Sequence, residues 1–168
     1  NFLYVDNDWI PIAEEFGCAK WINQKSLWKR NSIKDFSDYL IRFNSNQRRN
    51  IKRERKSITE LGVQVTPLTG NQIDQEIITR MYMLYVKHCD RWGIWGSKYL
   101  SSSFFINIPK NMKQEEIVLF SAHYGDPKEP IAMSLCIRQK DMLWGRYWGS
   151  EEEIDNLHFE VCYYSPIS

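Results

Sequence analysis

The sequence has little that would commit it to metal, disulfide or membrane chemistry. Its four cysteines, Cys18, Cys89, Cys136 and Cys162, are far apart and form no CxxC or Cys/His ligand spacing. No metal site or disulfide framework is predicted from them, and reduced thiols in a cytoplasmic protein are expected. His88 and Cys89 are adjacent, so on a helix they would leave from different faces, which argues against a shared metal. No run approaches the roughly 18 apolar residues that a membrane span needs, and no stretch has the pattern of a signal peptide. An excess of one charge is missing too. A net charge of +1 gives no general attraction to nucleic acid or membrane, so any polyanion binding must rest on local clustering.

Aromatic residues, in contrast, are plentiful: they make up 14% of the chain, with seven tryptophans. That is more than packing alone requires, and it points either to a large aromatic core or to a ligand surface. At 168 residues the chain has enough length for one domain with its own core. Neither end has the polar, frayed character of a natural terminus. The chain enters an apolar run directly after Asn1 and stops at Ser168, soon after a helix predicted to open near Leu157. A piece of a longer protein is expected.

Periodicity supplies the elements. A short strand is predicted over residues 1–5, and a helix over 9–16 with N-cap candidates Asp6, Asn7 and Asp8 and a closing Gly17. A strand follows over 19–28. Phe36, Leu40, Phe43, Gln47, Ile51, Glu54, Ile58 and Leu61 recur at spacings of three and four, which predicts one long amphipathic helix over 32–62. Its polar members matter, because a carboxylate on an apolar stripe needs a partner. Glu54 either finds one or lies at the margin beside an arginine of its own helix. The outer faces hold Arg48, Arg49, Lys52, Arg53, Arg55 and Lys56 against little acidic compensation. These are candidate anion-binding residues for RNA, a nucleotide-bearing cofactor or a charged lipid. A solvated helix face is the plain alternative.

Further along, a strand is predicted over 63–68 and a second amphipathic helix over 73–91. A loop rich in Trp and Gly follows, then a helix over 99–108 that stops before Pro109. From Glu116 the pattern turns to period two, giving strands over 117–124, 131–139 and 142–148. Short turns make these antiparallel neighbours. Gly149 is read as a turn. The fold class is therefore α+β, a mostly antiparallel sheet flanked by helices. The end of the last strand and the segment after it form the expected ligand corner, where backbone donors and a strand-end crevice coincide.

Several stretches carry a resemblance. FSDY (36–39), QRRNIKRERKSI (47–58), KYLSSSFF (98–105), LWGRYWG (143–149) and LHFEVCYY (157–164) together resemble the FemAB-like peptidoglycan biosynthesis/recognition group. The order of elements from residue 63 resembles the opening half of the GNAT (acyl-CoA N-acyltransferase) fold. The resemblance implies two tandem GNAT-like halves, with 1–31 the tail of the first, 32–62 a connector, and 63–168 the start of the second. It implies acyl or aminoacyl transfer to an amine, from an acyl-CoA or an aminoacyl-tRNA, to a small-molecule or peptidoglycan-precursor acceptor. The family pattern continues into a Gly-rich segment that this sequence does not reach, so the chain is expected to be incomplete as an enzyme. A sheet edge left exposed would favour self-association.

Such a transfer needs a base for the amine, donors for the carbonyl and a route for the leaving group. His158 and Glu160 are the clustered candidates for the base. Tyr163 or Tyr164 can protonate a leaving thiolate. Arg146, Trp148 and Tyr163 are the candidate substrate contacts, with Arg146 facing an anionic group. No metal is called for. His158 and Glu160 are two positions apart, about 200° around a regular helix, so one pocket cannot receive both unless the helix has not yet started at His158. Each also has a plain reading: a helix-start histidine, a core Cys162, packing tyrosines, and an Arg146 paired with Glu160. Two other functions stay open, a non-catalytic cell-wall or polyanion-binding module and RNA binding through the basic helix.

Overall fold

The computed structural model of the chain describes residues 5–22, 26–96 and 98–168. The chain divides into two compact units, residues 1–32 and 33–168. In the first, helix α1 (Trp9–Glu15) forms where expected. Gly17 closes it at φ +76°, a left-handed conformation that glycine adopts without a Cβ penalty. The strand expected over 1–5 lies almost wholly outside the described residues. The described part of 19–28 forms no strand, which corrects that expectation. Its alternation is imperfect, and Trp21 and Ile22 are exposed instead of covering a sheet.

The second unit contains α2 (Phe36–Ile41), α3 (Ser45–Glu60), β1 (Gln64–Thr69), α4 (Gln75–Arg91), α5 (Ser102–Asn111), β2 (Ile117–His123), β3 (Ala132–Gln139) and β4 (Met142–Ser150). Its strands make one antiparallel sheet in the order β1-β2-β3-β4. The α+β class is as read from the sequence, and the expected three-stranded meander gains β1 as a fourth neighbour.

The single helix expected over 32–62 is instead two. Asn44 accepts from the Gln47 amide at 3.0 Å, and Gln47 Oε1 accepts from the Asn44 amide at 3.2 Å. This reciprocal capping box starts a new helix at Ser45. Gln47 therefore caps a helix and does not belong to the apolar stripe. Helix α5 also departs from expectation, running through Pro109 to Asn111. A proline there costs one hydrogen bond late in the helix, while buried Phe105 and Ile108 keep the turn packed.

The sheet has two covered faces. On one, α4 and α5 pack Ile77, Met81, Leu84 and Phe105 onto Leu119, Met133, Leu135 and Tyr147. On the other, Ile58 of α3 and Leu157 and Val161 of the C-terminal helix cover Val118, Phe120, Cys136 and Trp148. Gly149 is not a turn but an interior residue of β4. A Cβ there would lie 2.2 Å from the Leu84 carbonyl carbon, so glycine lets α4 lie directly on the strand. The same contact is fastened electrostatically. Glu151 pairs with Arg80 at 2.5 Å and with Lys87, and Arg91 donates to Ser150 Oγ at 3.0 Å. The Lys87 ammonium, with Arg80 beside it, holds the Glu151 carboxyl below the usual range.

After β4 the C-terminal helix is α-helical over Leu157–Phe159, π-helical over Glu160–Tyr164 and α-helical again over Ser165–Ile167. The wider i→i+5 turn replaces regular α-helical geometry here. His158 thus meets Tyr163 at 5.6 Å, Phe159 meets Tyr164 at 6.3 Å, and Ser165 donates to Glu160 at 3.0 Å. Among the described residues no helix is long and apolar enough to cross a membrane. All four cysteines are free. Burial pushes the Cys136 thiol up to about 11 and raises Cys162 as well, so neither is a ready thiolate at neutral pH.

Candidate functional site

The register between β3 and β4 slips by one residue. Leu135 opposes Tyr147 while Cys136 opposes Gly145, which leaves Arg146 as the extra residue of a bulge. A bulge re-aims the side chains around it, and here both Arg146 and Tyr147 line one cleft of about 500 Å³. Helix α5 forms the facing wall with Ser103, Phe104, Asn107 and Asn111, and the apolar floor includes Ile108, Met112, Leu135 and Ile137. The Arg146 guanidinium lies 5.8 Å from the Tyr147 ring centre and is exposed. Among the described residues no carboxylate pairs with it. The Arg146–Glu160 pair weighed from the sequence is therefore not formed.

The conspicuous sequence stretches meet in twos. KYLSSSFF (98–105) and LWGRYWG (143–149) face each other across the cleft through Ser103, Phe104, Arg146 and Tyr147. QRRNIKRERKSI (47–58) and LHFEVCYY (157–164) are bound together on the other side of the sheet. Arg55 Nε and Nη2 donate to Glu160 at 3.0 and 2.9 Å, and Tyr164 donates to Glu54. A family profile described as FemAB-like, peptidoglycan biosynthesis/recognition, matches residues 1–168. The chain belongs to the FemAB-like family. No curated protein matches it. Membership ties the chain to peptidoglycan biosynthesis or recognition.

In this FemAB-like chain the residues expected to share one corner are distributed over three places. Arg146 belongs to the cleft. Trp148, one pleat further on, turns to the opposite face and meets His158 at 5.2 Å, with His158 also against Tyr163 and Phe159. His88 of α4 reaches the same tryptophan at 6.4 Å. Partial desolvation holds both imidazoles below the ordinary value, and for His88 the nearby Arg91 adds to the shift. Both rings are therefore biased toward the neutral form. Glu160 and Tyr164 form the third place, the junction with α3. Glu160 is buried and accepts from Arg55 and Ser165. Burial, and then the Glu54 carboxylate, raise the Tyr164 hydroxyl well above its usual value. The partner that Glu54 required is thus a tyrosine 110 residues away.

The basic block divides in a similar way. Arg55 is committed to Glu160, Lys56 pairs with Glu60 at 3.3 Å, and Arg48 donates to the Phe43 carbonyl. Arg49, Lys52 and Arg53 are exposed, and among the described residues none of the three has an ion-pair partner. Sequence reasoning missed the α5 wall of the cleft. Its signal was present as Ser103, Asn107 and Asn111 at i, i+4 and i+8, but the helix was expected to end before Pro109. Chemically, the cleft offers one cation, a row of neutral hydrogen-bonding groups and an apolar floor. Its lining includes no imidazole or carboxylate.

Proposed function

We propose that this chain carries the substrate-binding portion of an N-acyltransferase acting in peptidoglycan biosynthesis, moving an acyl or aminoacyl group to an amine. The observation that carries this reading is the unpaired Arg146, set by the β4 bulge to face a ligand-sized cleft. Clefts of roughly 300–1,000 Å³ with an apolar lining and few directed polar groups are the usual form of small-molecule sites. The order strand, two helices, antiparallel strands and helix supports a GNAT-like domain starting near residue 63. The donor is an acyl-CoA or an aminoacyl-tRNA, and Arg49, Lys52 and Arg53 are suited to its phosphates.

In the reaction the acceptor amine attacks the acyl carbonyl carbon. Its proton passes to a base, and the bond to the donor's sulfur or oxygen breaks. His158 is the base in this reading, because its imidazole is neutral and accessible, whereas Glu160 and Tyr164 position the C-terminal helix. Arg146 and Trp148 are about 6–7 Å apart along the strand, and β4 ends the sheet order. A substrate passing this edge can reach both faces. The same edge is the surface through which two copies would associate, and the cytoplasm is the compartment that supplies either donor.

A second reading, a non-catalytic module that recognises peptidoglycan, is favoured by one feature: no titratable base lines the cleft. Incubating the protein with a muropeptide acceptor and each donor in turn, with mass spectrometry of the product, separates the two. Acylated muropeptide that disappears in Arg146→Ala supports transfer. Arg146-dependent muropeptide binding without product supports recognition. Steeply salt-dependent RNA binding with no muropeptide binding favours a nucleic-acid role for α3.

A further inference from the structure

We infer that the α5–β4 cleft takes a short extended peptide with a free carboxylate, the acceptor's peptide and not the phosphate-bearing donor. The inference rests on the reading of this cleft as a substrate site and adds what class of molecule enters it.

Spacing provides the first argument. Ser103, Asn107 and Asn111 line the cleft from one face of α5, and four helical residues rise about 6 Å. An extended peptide presents groups to the same side every two residues, about 6.6 Å. Successive members of the row are therefore in near register with every second residue of a peptide lying along α5. The chemistry of the row agrees. A primary amide both donates and accepts, as a peptide unit does. Asn111 uses one donor on the Asn107 backbone carbonyl at 2.8 Å, which fixes its side chain and leaves its own carbonyl oxygen to accept.

Charge provides the second. Arg146 is the single charged residue in the lining. Its planar fork matches one carboxylate with two parallel hydrogen bonds. A CoA or a tRNA end brings several phosphate charges, and one guanidinium in an apolar cleft leaves most of them uncompensated. The apolar floor of Ile108, Met112, Leu135 and Ile137 suits the small aliphatic side chains of a peptide and offers nothing to a polyphosphate.

The test titrates the chain with N-acetyl-trialanine in L and D forms, each as free acid and as C-terminal amide, with CoA as a third arm. Side-chain amide resonances of Asn107 and Asn111 and the Arg146 Nε–H report binding in the millimolar range. The expected result is that one acid binds at least about tenfold more tightly than its amide, the size expected for a charge-assisted pair. In Arg146→Ala that preference should vanish, and in Arg146→Lys it should return in part. Asn107→Leu should weaken acid and amide alike. Equal binding of acid and amide overturns the inference, as does CoA displacing the acid at lower concentration, or no shift with any peptide. The two readings fail separately. Arg146-dependent acid binding without acyl-transfer product removes the transfer reading and leaves this one, and product formation without acid preference does the reverse.

Discussion

Arg55 of α3 holds Glu160 of the C-terminal helix with two hydrogen bonds, 3.0 Å from Nε and 2.9 Å from Nη2, across 105 residues of sequence. The arginine also stacks over Phe36 at 4.1 Å. This pair, with Tyr164 on Glu54, ties the helix after β4 to the helix before β1.

The Glu160 side chain is 8% exposed and that of Arg55 31%. Removing only the cation leaves a buried carboxylate without compensation. Arg55→Met should therefore destabilise the chain by about 3 kcal/mol in urea unfolding. The double variant Arg55→Met/Glu160→Leu should recover most of that loss, because replacing both charges removes the desolvation penalty. A single variant that unfolds at the wild-type midpoint contradicts this role.

Gly149 and Gly145 lie four residues apart on β4 and make opposite predictions. A Cβ at Gly149 meets Leu84 and Tyr85 backbone atoms at 2.2–2.5 Å, whereas one at Gly145 meets nothing within 4 Å. Gly149→Ala must push α4 off the strand and should cost about 3 kcal/mol or more. Gly145→Ala should be neutral or slightly stabilising, by up to about 0.5 kcal/mol. Thermal melts of the two variants side by side check the pair.

How much of this was legible follows from which forces are local. Periodicity was enough for α4 and for the three strands after Glu116, since each buries a stripe that the sequence repeats. The break between α2 and α3 was hidden because the apolar spacing continues through it, although Asn44 and Gln47 carried the capping-box signal. Gly149 reads as a turn because its reason is the backbone of α4, distant in sequence. The π-helical turn has no sequence signature of its own, and it sets His158 against Tyr163, five positions on. Arg146 stood out in the sequence as a candidate, but the bulge that aims it into the cleft was not legible there. Alternation alone would have placed it with Trp148.

His123 gives the chain an acid limit. It is buried, its Nδ1 accepts from the Gly125 amide at 3.1 Å, and its Nε2 therefore carries the proton toward Thr66 Oγ1 at 2.8 Å. Burial lowers its pKa, with Asp126 opposing only in part. In that state the folded chain binds fewer protons than the unfolded one. Stability should be complete above the ordinary histidine value of about 6.5 and should fall as pH drops toward the depressed folded value. His88 and His158 are lowered too and steepen the same slope. Unfolding midpoints between pH 5 and 8 should show it, and His123→Asn should flatten it by about one proton. A wild-type midpoint that stays level to pH 5 contradicts the assignment.

The capping box is separable from everything at the site. Asn44→Ala removes the acceptor for the Gln47 amide and should cost about 1 kcal/mol. Muropeptide affinity should not change. A loss of binding would mean that α3 orientation reaches the cleft.

The most direct measurement is the map of backbone and side-chain resonance shifts as a muropeptide is added to the chain. The account predicts shifts concentrated at Ser103, Asn107, Asn111, Arg146 and Tyr147, abolished by Arg146→Ala. Shifts concentrated instead at Arg49, Lys52 and Arg53, or around His158 and Tyr163 with the cleft silent, would contradict it.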